Sequence, residues 1–396
     1  MDSNQCVVKG FSAGAVEAGI KKKGGTDLAL IFADRPCAAA GVFTTNRVKA
    51  APVLVSMERI GRGTARAVLA NSGNANACTG ASGPSAARKA GEAAASALGI
   101  DPEEILLAST GVIGAPLDAS RIEQAMPSLV GALRSDGLMD AARAIMTTDS
   151  FPKISVFEGE SGGHSYRIAG IAKGAGMIMP QMATMLCFVI SDIHISSRNL
   201  QKALVEATGS TFNRITVDGD TSTNDTVIAL ASGAAGNADL DRAGLEVFGT
   251  GLTAVLNELA RMVVKDGEGA TKTVHVEIRG AVSAEQAERA ARTVANSSLV
   301  KTAFYGQDPN WGRILAALGR SGIDMNPDLV DIRIDSVEIV SRGMTRGEEA
   351  EAAGAERMKN PEFSVVVDLH IGPFSDRMLT CDLTHDYVSI NADYRT

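Results

Sequence analysis

The chain has no C-x-x-C spacing and an odd number of cysteines, with Cys6, Cys37, Cys78, Cys187 and Cys381 scattered over 396 residues. That excludes a disulfide scaffold and suits a reducing compartment. Positive charge is not in excess either: the formal net charge is −8, so nothing calls for nucleic acid or an anionic membrane as a partner. No apolar run approaches the ~20 residues that span a bilayer. The start, Met1-Asp-Ser-Asn-Gln-Cys6, lacks the basic and apolar regions of an export signal. Repeats and low-complexity tracts are missing too. The expectation is a cytoplasmic protein without membrane or nucleic-acid partners. Hydrophobic residues make up 45% of the chain and charged ones 21%, an ordinary globular balance, and the length suffices for two or three domains.

Cofactor and metal signatures are also lacking. Gly10-Phe-Ser12-Ala-Gly14 satisfies G-x-S-x-G, but a nucleophile elbow needs a sheet and an oxyanion loop upstream, and only a short segment precedes it. His275-Val-Glu277 is followed by no P-C-x-x-C, and on a strand its two side chains share one solvated face. His164, His194, His370 and His385 show no metal-ligand spacing. The run from Asp218 to Asn224 lacks the glycine and glutamate of a calcium loop. Gly267-Glu-Gly269-Ala-Thr-Lys272 lacks G-K-[ST], and no dinucleotide fingerprint occurs. No metal is expected.

What is present is a mixture of strand and helix patterns. Residues 27–33, 65–70 and 185–195 read as buried strands. Helices are expected from Pro84 to Leu98 with Gly99 as the stop, after Ser196 or Ser197 through Val205, and from Ala243 to Val264. Ser283-Ala-Glu-Gln286 has the spacing of a capping box and opens a helix toward Ala295. Asp308 and Pro309 are expected to start another, through Leu318. Residues 155–165 are turn-like, and 330–340, 364–372 and 377–390 read as strands. This non-alternating order predicts an α+β fold of layered helices and mixed sheets.

The stretch Lys173 to Leu186, K-G-A-G-M-I-M-P-Q-M-A-T-M-L, says most about chemistry. It sets Thr184 at the joint between a glycine-rich segment and a buried strand. A threonine hydroxyl is a weak nucleophile unless a base adjoins it, and one solution is the threonine's own α-amino group. That amine titrates at about 7.7–8.0 against about 10.4 for lysine, which favours it over Lys173 as the base. It exists only if the Ala183–Thr184 bond is broken. These residues alone fit two readings: a self-cutting precursor, or an ordinary loop-to-strand junction.

Further strings decide between them. They are F-T-T-N-R-V-K-A-A-P-V (Phe43 to Val53), N-S-G-N-A-N-A-C-T-G (Asn71 to Gly80), S-T-G-V-I-G (Ser109 to Gly114) and M-T-T-D-S-F-P-K (Met146 to Lys153). Others are F-N-R-I-T-V-D-G-D-T-S-T-N-D-T (Phe212 to Thr226), V-K-D-G-E-G-A-T-K (Val264 to Lys272), D-P-N-W-G-R-I-L-A-A (Asp308 to Ala317) and S-I-N-A-D-Y-R-T at the end. Together they resemble the ornithine acetyltransferase family, the bifunctional glutamate N-acetyltransferases of arginine biosynthesis.

The resemblance implies a sandwich of helices and sheets, self-cleaved into two intertwined fragments, 1–183 and 184–396. It implies acetyl transfer from N-acetylornithine to glutamate in two half-reactions through an acetyl-threonine at Thr184. The oxyanion hole falls on Thr110 and Gly111, which alone would read as a turn. Substrate contacts fall on Thr147, Lys173, Thr184, Glu268, Asn391 and Thr396. Lys173 can meet a substrate carboxylate, and Glu268 can face the positive end of ornithine or be an exposed loop residue. Asn391 and Thr396 alone would read as the end of a strand. Acetyl-CoA enters as a possible co-substrate, no other cofactor is implied, and the assembly is two copies of each fragment. Met179 and Gln181 depart from the family's usual Ala and Asn before the cut, which bears on cleavage rate. Two other readings stay open on the residues. One is an N-terminal-nucleophile aminopeptidase or amidohydrolase, with water in place of glutamate, and the other a non-catalytic small-molecule-binding protein.

Overall fold

The computed structural model describes residues 6–179 and 185–393. They form two compact units, one comprising the chain up to Asn213 with Asp220–Val263, the other Arg214–Gly219 with Val264 onward.

The first unit is built on eight strands: β1 (Phe11–Val16), β2 (Leu28–Phe43), β3 (Thr64–Asn74), β4 (Ile105–Val112), β5 (Lys153–Ser161), β6 (His164–Lys173), β7 (Leu186–Ser191) and β8 (Thr226–Ala231). They hydrogen-bond in the order β4-β3-β2-β8-β7-β6-β5, with β1 on β2. The pairs β3–β4 and β7–β8 are parallel and the rest antiparallel. Side chains alternate across a strand, so β2 feeds two cores. Leu28 and Leu30 pack with Leu69, Leu107 and the helices Ser82–Leu98 and Ala119–Gly131. Ala29 and Ile31 pack with Ile171, Phe188, Ile228 and the helix Leu138–Ala144. The β2–β4 part and the β6–β8 part of the sheet thus share one apolar interior. With both faces covered, the strands read as continuous apolar runs.

The far face of β6 carries the helix Arg242–Lys265, whose Val255 and Leu259 close over Gly170, where any side chain would crowd them. By length and composition this helix could cross a membrane, with half of its most apolar window buried. Its buried positions Phe248, Leu252, Val255, Leu256, Leu259 and Val263 recur at helical spacing, as in a core helix. The turn-like stretch 155–165 is the β5–β6 hairpin, which reverses at Gly162 and Gly163, both at positive φ.

The second unit has six strands, β9 (Thr273–Ala281), β10 (Asp331–Ile334), β11 (Val337–Ser341), β12 (Met344–Thr345), β13 (Glu362–Asp368) and β14 (Phe374–Cys381), in the order β12-β11-β10-β13-β9-β14. Val274, Val276 and Ile278 of β9 face the core with Ala287, Ala291 and Val294 of the helix Ala284–Ala295. His275 and Glu277 share the opposite face, where each pairs with a neighbour, Glu362 and Arg279 respectively.

The expected helices at 84–98, after Ser196 and at 284–295 are present, with Gly99 left-handed at the first stop and Ser196 and Ser283 capping the others. Three expectations are corrected. The strand placed at 330–340 is two antiparallel strands, β10 and β11, reversing at Asp335. The helix placed at Asp308 begins at Trp311, because Asn310 accepts the Arg313 N–H and caps it. The strand placed at 377–390 stops at Cys381, and His385–Asp393 is a helix. Both units are mixed α/β layers, as the pattern of elements predicts.

Candidate active site

In the first unit, strings far apart in sequence meet around the end of β4. Ser109-Thr110-Gly111 lies in parallel register beside Asn71-Ser72-Gly73 of β3, and the register slips at Gly73/Asn74. Gly111 has φ 128°, and a Cβ there would lie 2.4 Å from the Gly73 carbonyl carbon. Only glycine fits. Asn224 Nδ2 donates to the carbonyls of Ser109 (2.8 Å) and Ala75 (2.7 Å), and Ser109 Oγ donates to Asn71 Oδ1 at 2.6 Å. These bonds fix the peptide leading into Thr110. The segment is a strand end, not the turn that its residues alone suggest.

Thr110 is buried, and its Oγ1 accepts a hydrogen bond from Lys173 Nζ at 3.4 Å. An ammonium only donates, so the Thr110 hydroxyl keeps its own proton to donate elsewhere. Lys173, also buried, ends β6 directly opposite Leu186 at the start of β7. Leu186 follows Thr184 by two residues, so the expected nucleophile is joined to the strand facing Lys173. Thr184, Ala183 and Gln181 themselves lie outside the described residues, as does Thr396.

Thr147 is joined to Lys173 through Asp149. The fully buried Asp149 carboxylate accepts Lys153 Nζ (2.7 Å) and the Gly174 N–H (2.7 Å) at Oδ1, and the Thr147 N–H (3.0 Å) at Oδ2. Burial alone would raise its pKa, but the Lys173 and Lys153 charges and these hydrogen bonds overcome it and hold the carboxyl at about 2. Asp225, at the entry to β8, accepts the Met185 N–H at 3.0 Å through Oδ1. Burial raises its pKa well above the usual carboxylate range despite that bond and the Lys173 charge. Among the described residues, its other oxygen has no hydrogen-bond partner.

In the second unit, Glu268 and Asn391 come together: Asn391 Nδ2 donates to Glu268 Oε2 at 2.8 Å. Asn391 lies in the helix His385–Asp393 instead of at a strand end. Thr384 Oγ1 donates to the Gly269 carbonyl at 2.8 Å, and a Cβ on Gly269 would lie 2.6 Å from Tyr387 N. The start of the helix therefore sits against the glycine-rich loop. Asp382 accepts the Thr271 and Lys272 N–H groups at 2.8 and 2.9 Å and closes the other end of that loop. Among the described residues, no group of three or more His, Cys, Asp or Glu is arranged to hold a metal ion.

The ArgJ family matches residues 12–396. The chain belongs to the ArgJ family. It is 54% identical over 391 residues to the arginine biosynthesis bifunctional protein ArgJ of Geobacter sulfurreducens, covering 98% of this chain and 100% of that protein. The protein of the same name from Desulfotalea psychrophila is 50% identical, covering 98% and 100%. Among solved structures it resembles the arginine biosynthesis bifunctional protein ArgJ of Bacillus halodurans, at 43% identity and TM-score 0.50, over 52% of this chain and 98% of that one. Family membership makes this chain an acetyltransferase of arginine biosynthesis, the class that its motif strings imply.

Sequence reasoning missed Asp149, Lys153, Asn224 and Asp225. All four lie inside strings already singled out, M-T-T-D-S-F-P-K and T-S-T-N-D-T. A usable signal was there: an acid and a lysine four apart in M-T-T-D-S-F-P-K, and an acid directly before the apolar run of β8. Spacing alone does not show that these groups are buried.

Proposed function

We propose that the chain is cut between Ala183 and Thr184, and that Thr184 Oγ then carries acetyl from N-acetylornithine to glutamate. In the cut, Oγ attacks the Ala183 carbonyl, the C–N bond breaks, and water opens the resulting ester. The freed α-amine then serves as general base, directly or through one water. In the first half-reaction Oγ attacks the acetyl carbonyl, the amine takes its proton and passes it to the departing ornithine amine. In the second, the glutamate amine attacks acetyl-threonine, N-acetylglutamate leaves, and the proton returns to Oγ.

The observation that carries this reading is the meeting of Thr110, Lys173 and the start of β7, with Lys173 Nζ 3.4 Å from Thr110 Oγ1 and Lys173 opposite Leu186. A hydroxyl that accepts from an ammonium and keeps its proton suits an oxyanion, and Gly111 N–H is the second donor. Lys173 and Thr147 take the substrate carboxylate, and the family resemblance adds Glu268, Asn391 and Thr396 as further substrate contacts. The solved Bacillus halodurans chain matches over nearly its whole length yet only 52% of this one, as a fragment of a cut precursor would. The relatives are named bifunctional, which supports acetyl-CoA as a second donor. Two copies of each fragment and a cytoplasmic location complete the proposal.

The test is Thr184→Ala. Intact mass spectrometry should find a full-length, inactive chain, while wild type gives two fragments, the second beginning Thr-Met-Leu-Cys, and parallel initial-velocity lines. A Thr184→Ala protein that still splits and turns over would refute the proposal.

A further inference from the structure

Three donors from separate positions converge on one carboxylate. Asp149 accepts from the Thr147 N–H, the Gly174 N–H and Lys153 Nζ at 3.0, 2.7 and 2.7 Å, and its side chain has no solvent exposure. The Gly174 N–H belongs to the peptide unit that begins at Lys173, so this bond fixes the direction in which the chain leaves Lys173. The Thr147 N–H bond fixes the loop that carries Thr147. Lys153, equally buried, stands at the start of β5 opposite Ala172 and supplies the neighbouring positive charge. A buried acceptor serving three donors is costly to remove, since each donor is left without its partner.

We propose that Asp149 is a positioning residue for the amino-acid substrates: it holds Thr147, in the loop between the helix Leu138–Ala144 and β5, and Lys173, at the end of β6, in the spacing that grips their carboxylate. This rests on the reading of Thr147 and Lys173 as substrate contacts. Asp149 makes no bond to substrate itself. Its charge faces both Lys173 and Lys153, and of the two the Lys173 charge does more to hold the carboxyl low. The groups around it are Lys153 on β5, Lys173 on β6, Asp225 before β8 acting on Lys173, and Lys21 from the loop before β2, which donates to the Thr26 and Ala144 carbonyls.

The test is steady-state kinetics on processed enzyme carrying Asp149→Ala or Asp149→Asn, with N-acetylornithine and glutamate varied in turn. An interaction made equally in ground and transition states moves KM and not kcat. Asp149→Ala should raise both KM values about tenfold, the size of one lost buried hydrogen bond, with kcat within about threefold of wild type. Asp149→Asn keeps one acceptor oxygen and should fall between the two. Should the single variants not fold, the double variant Asp149→Asn/Lys153→Met removes the ion pair together and gives the same readout. A wild-type KM in any folded variant, or a loss confined to kcat, overturns the proposal. Intact mass of wild type mixed with N-acetylornithine separates this from the threonine reading. Failure to acetylate the Thr184 fragment would sink that reading, while the KM shift would still stand or fall by itself.

Discussion

At the scale of single residues, the site is decided by what each side chain is allowed to be. Gly111 sits where the backbone is left-handed and the Gly73 carbonyl carbon leaves no room for a Cβ, so only glycine can follow Thr110. Thr110→Val keeps the shape and removes the hydroxyl. If that hydroxyl is an oxyanion donor, kcat should drop about 10²–10³-fold (about 2.7–4 kcal/mol) with little change in KM, measured by initial rates. Asp225 makes a second, opposite prediction about stability. Burial raises its pKa, against the Met185 N–H and the Lys173 charge. A carboxyl whose folded pKa exceeds its unfolded value loses stability as pH climbs from the unfolded value toward the folded one. Asp225→Asn retains the acceptor for Met185 and removes that loss. Urea unfolding should find the variant more stable than wild type at pH 7, with the gap closing as pH falls below about 4. Thr110, Gly111, Thr147 and Lys173 were legible because they lie in long, uncommon strings. Asp149 and Asp225 were not, because a carboxylate in a polar string looks solvated until the fold buries it.

At the scale of elements, helix ends were the most legible features. Ser196 and Ser283 cap their helices by accepting the Asn199 and Gln286 N–H groups, and Gly99 terminates another in the left-handed conformation. These are local bonds, made by residues within three or four positions of one another. The helix His385–Asp393 was misread for the converse reason. Its pattern, H-D-Y-V-S-I-N-A-D, has branched residues and no buried positions, so periodicity gives it little support. Its start is held instead against the loop at Gly269, more than a hundred residues earlier in sequence, with Thr384 Oγ1 donating to the Gly269 carbonyl. Gly269→Ala puts a methyl 2.6 Å from Tyr387 N at a φ of +68°. The expected cost is about 1–3 kcal/mol, with faster proteolysis of the C-terminal helix under native conditions than in wild type.

At the scale of the whole molecule, the order β4-β3-β2-β8-β7-β6-β5 interleaves strands from before and after residue 184. β7 and β8 lie between β2 and β6, bonded to one on each side. A chain cut at Ala183–Thr184 would therefore leave two pieces sharing one sheet and one apolar interior. The expected outcome is two bands on a denaturing gel and one species in native size-exclusion chromatography, separating only at denaturant concentrations that unfold the sheet. Fragments that part in native buffer would contradict this arrangement.

The sequence by itself determined the family, the α+β class, the ends of a few helices and the residues at which to look for chemistry. Each of these rests on local strings or on periodicity that a chain carries along its own length. Only the tertiary structure decided that Thr110 and Lys173 touch, that Asp149 ties Thr147 to the end of β6, and that Glu268 meets Asn391. Those contacts join residues separated by up to 123 positions. Nothing local encodes them, because they follow from how the fold brings distant segments together, and for Thr110, Asp149 and Lys173 also from burial, which strengthens each charge and hydrogen bond.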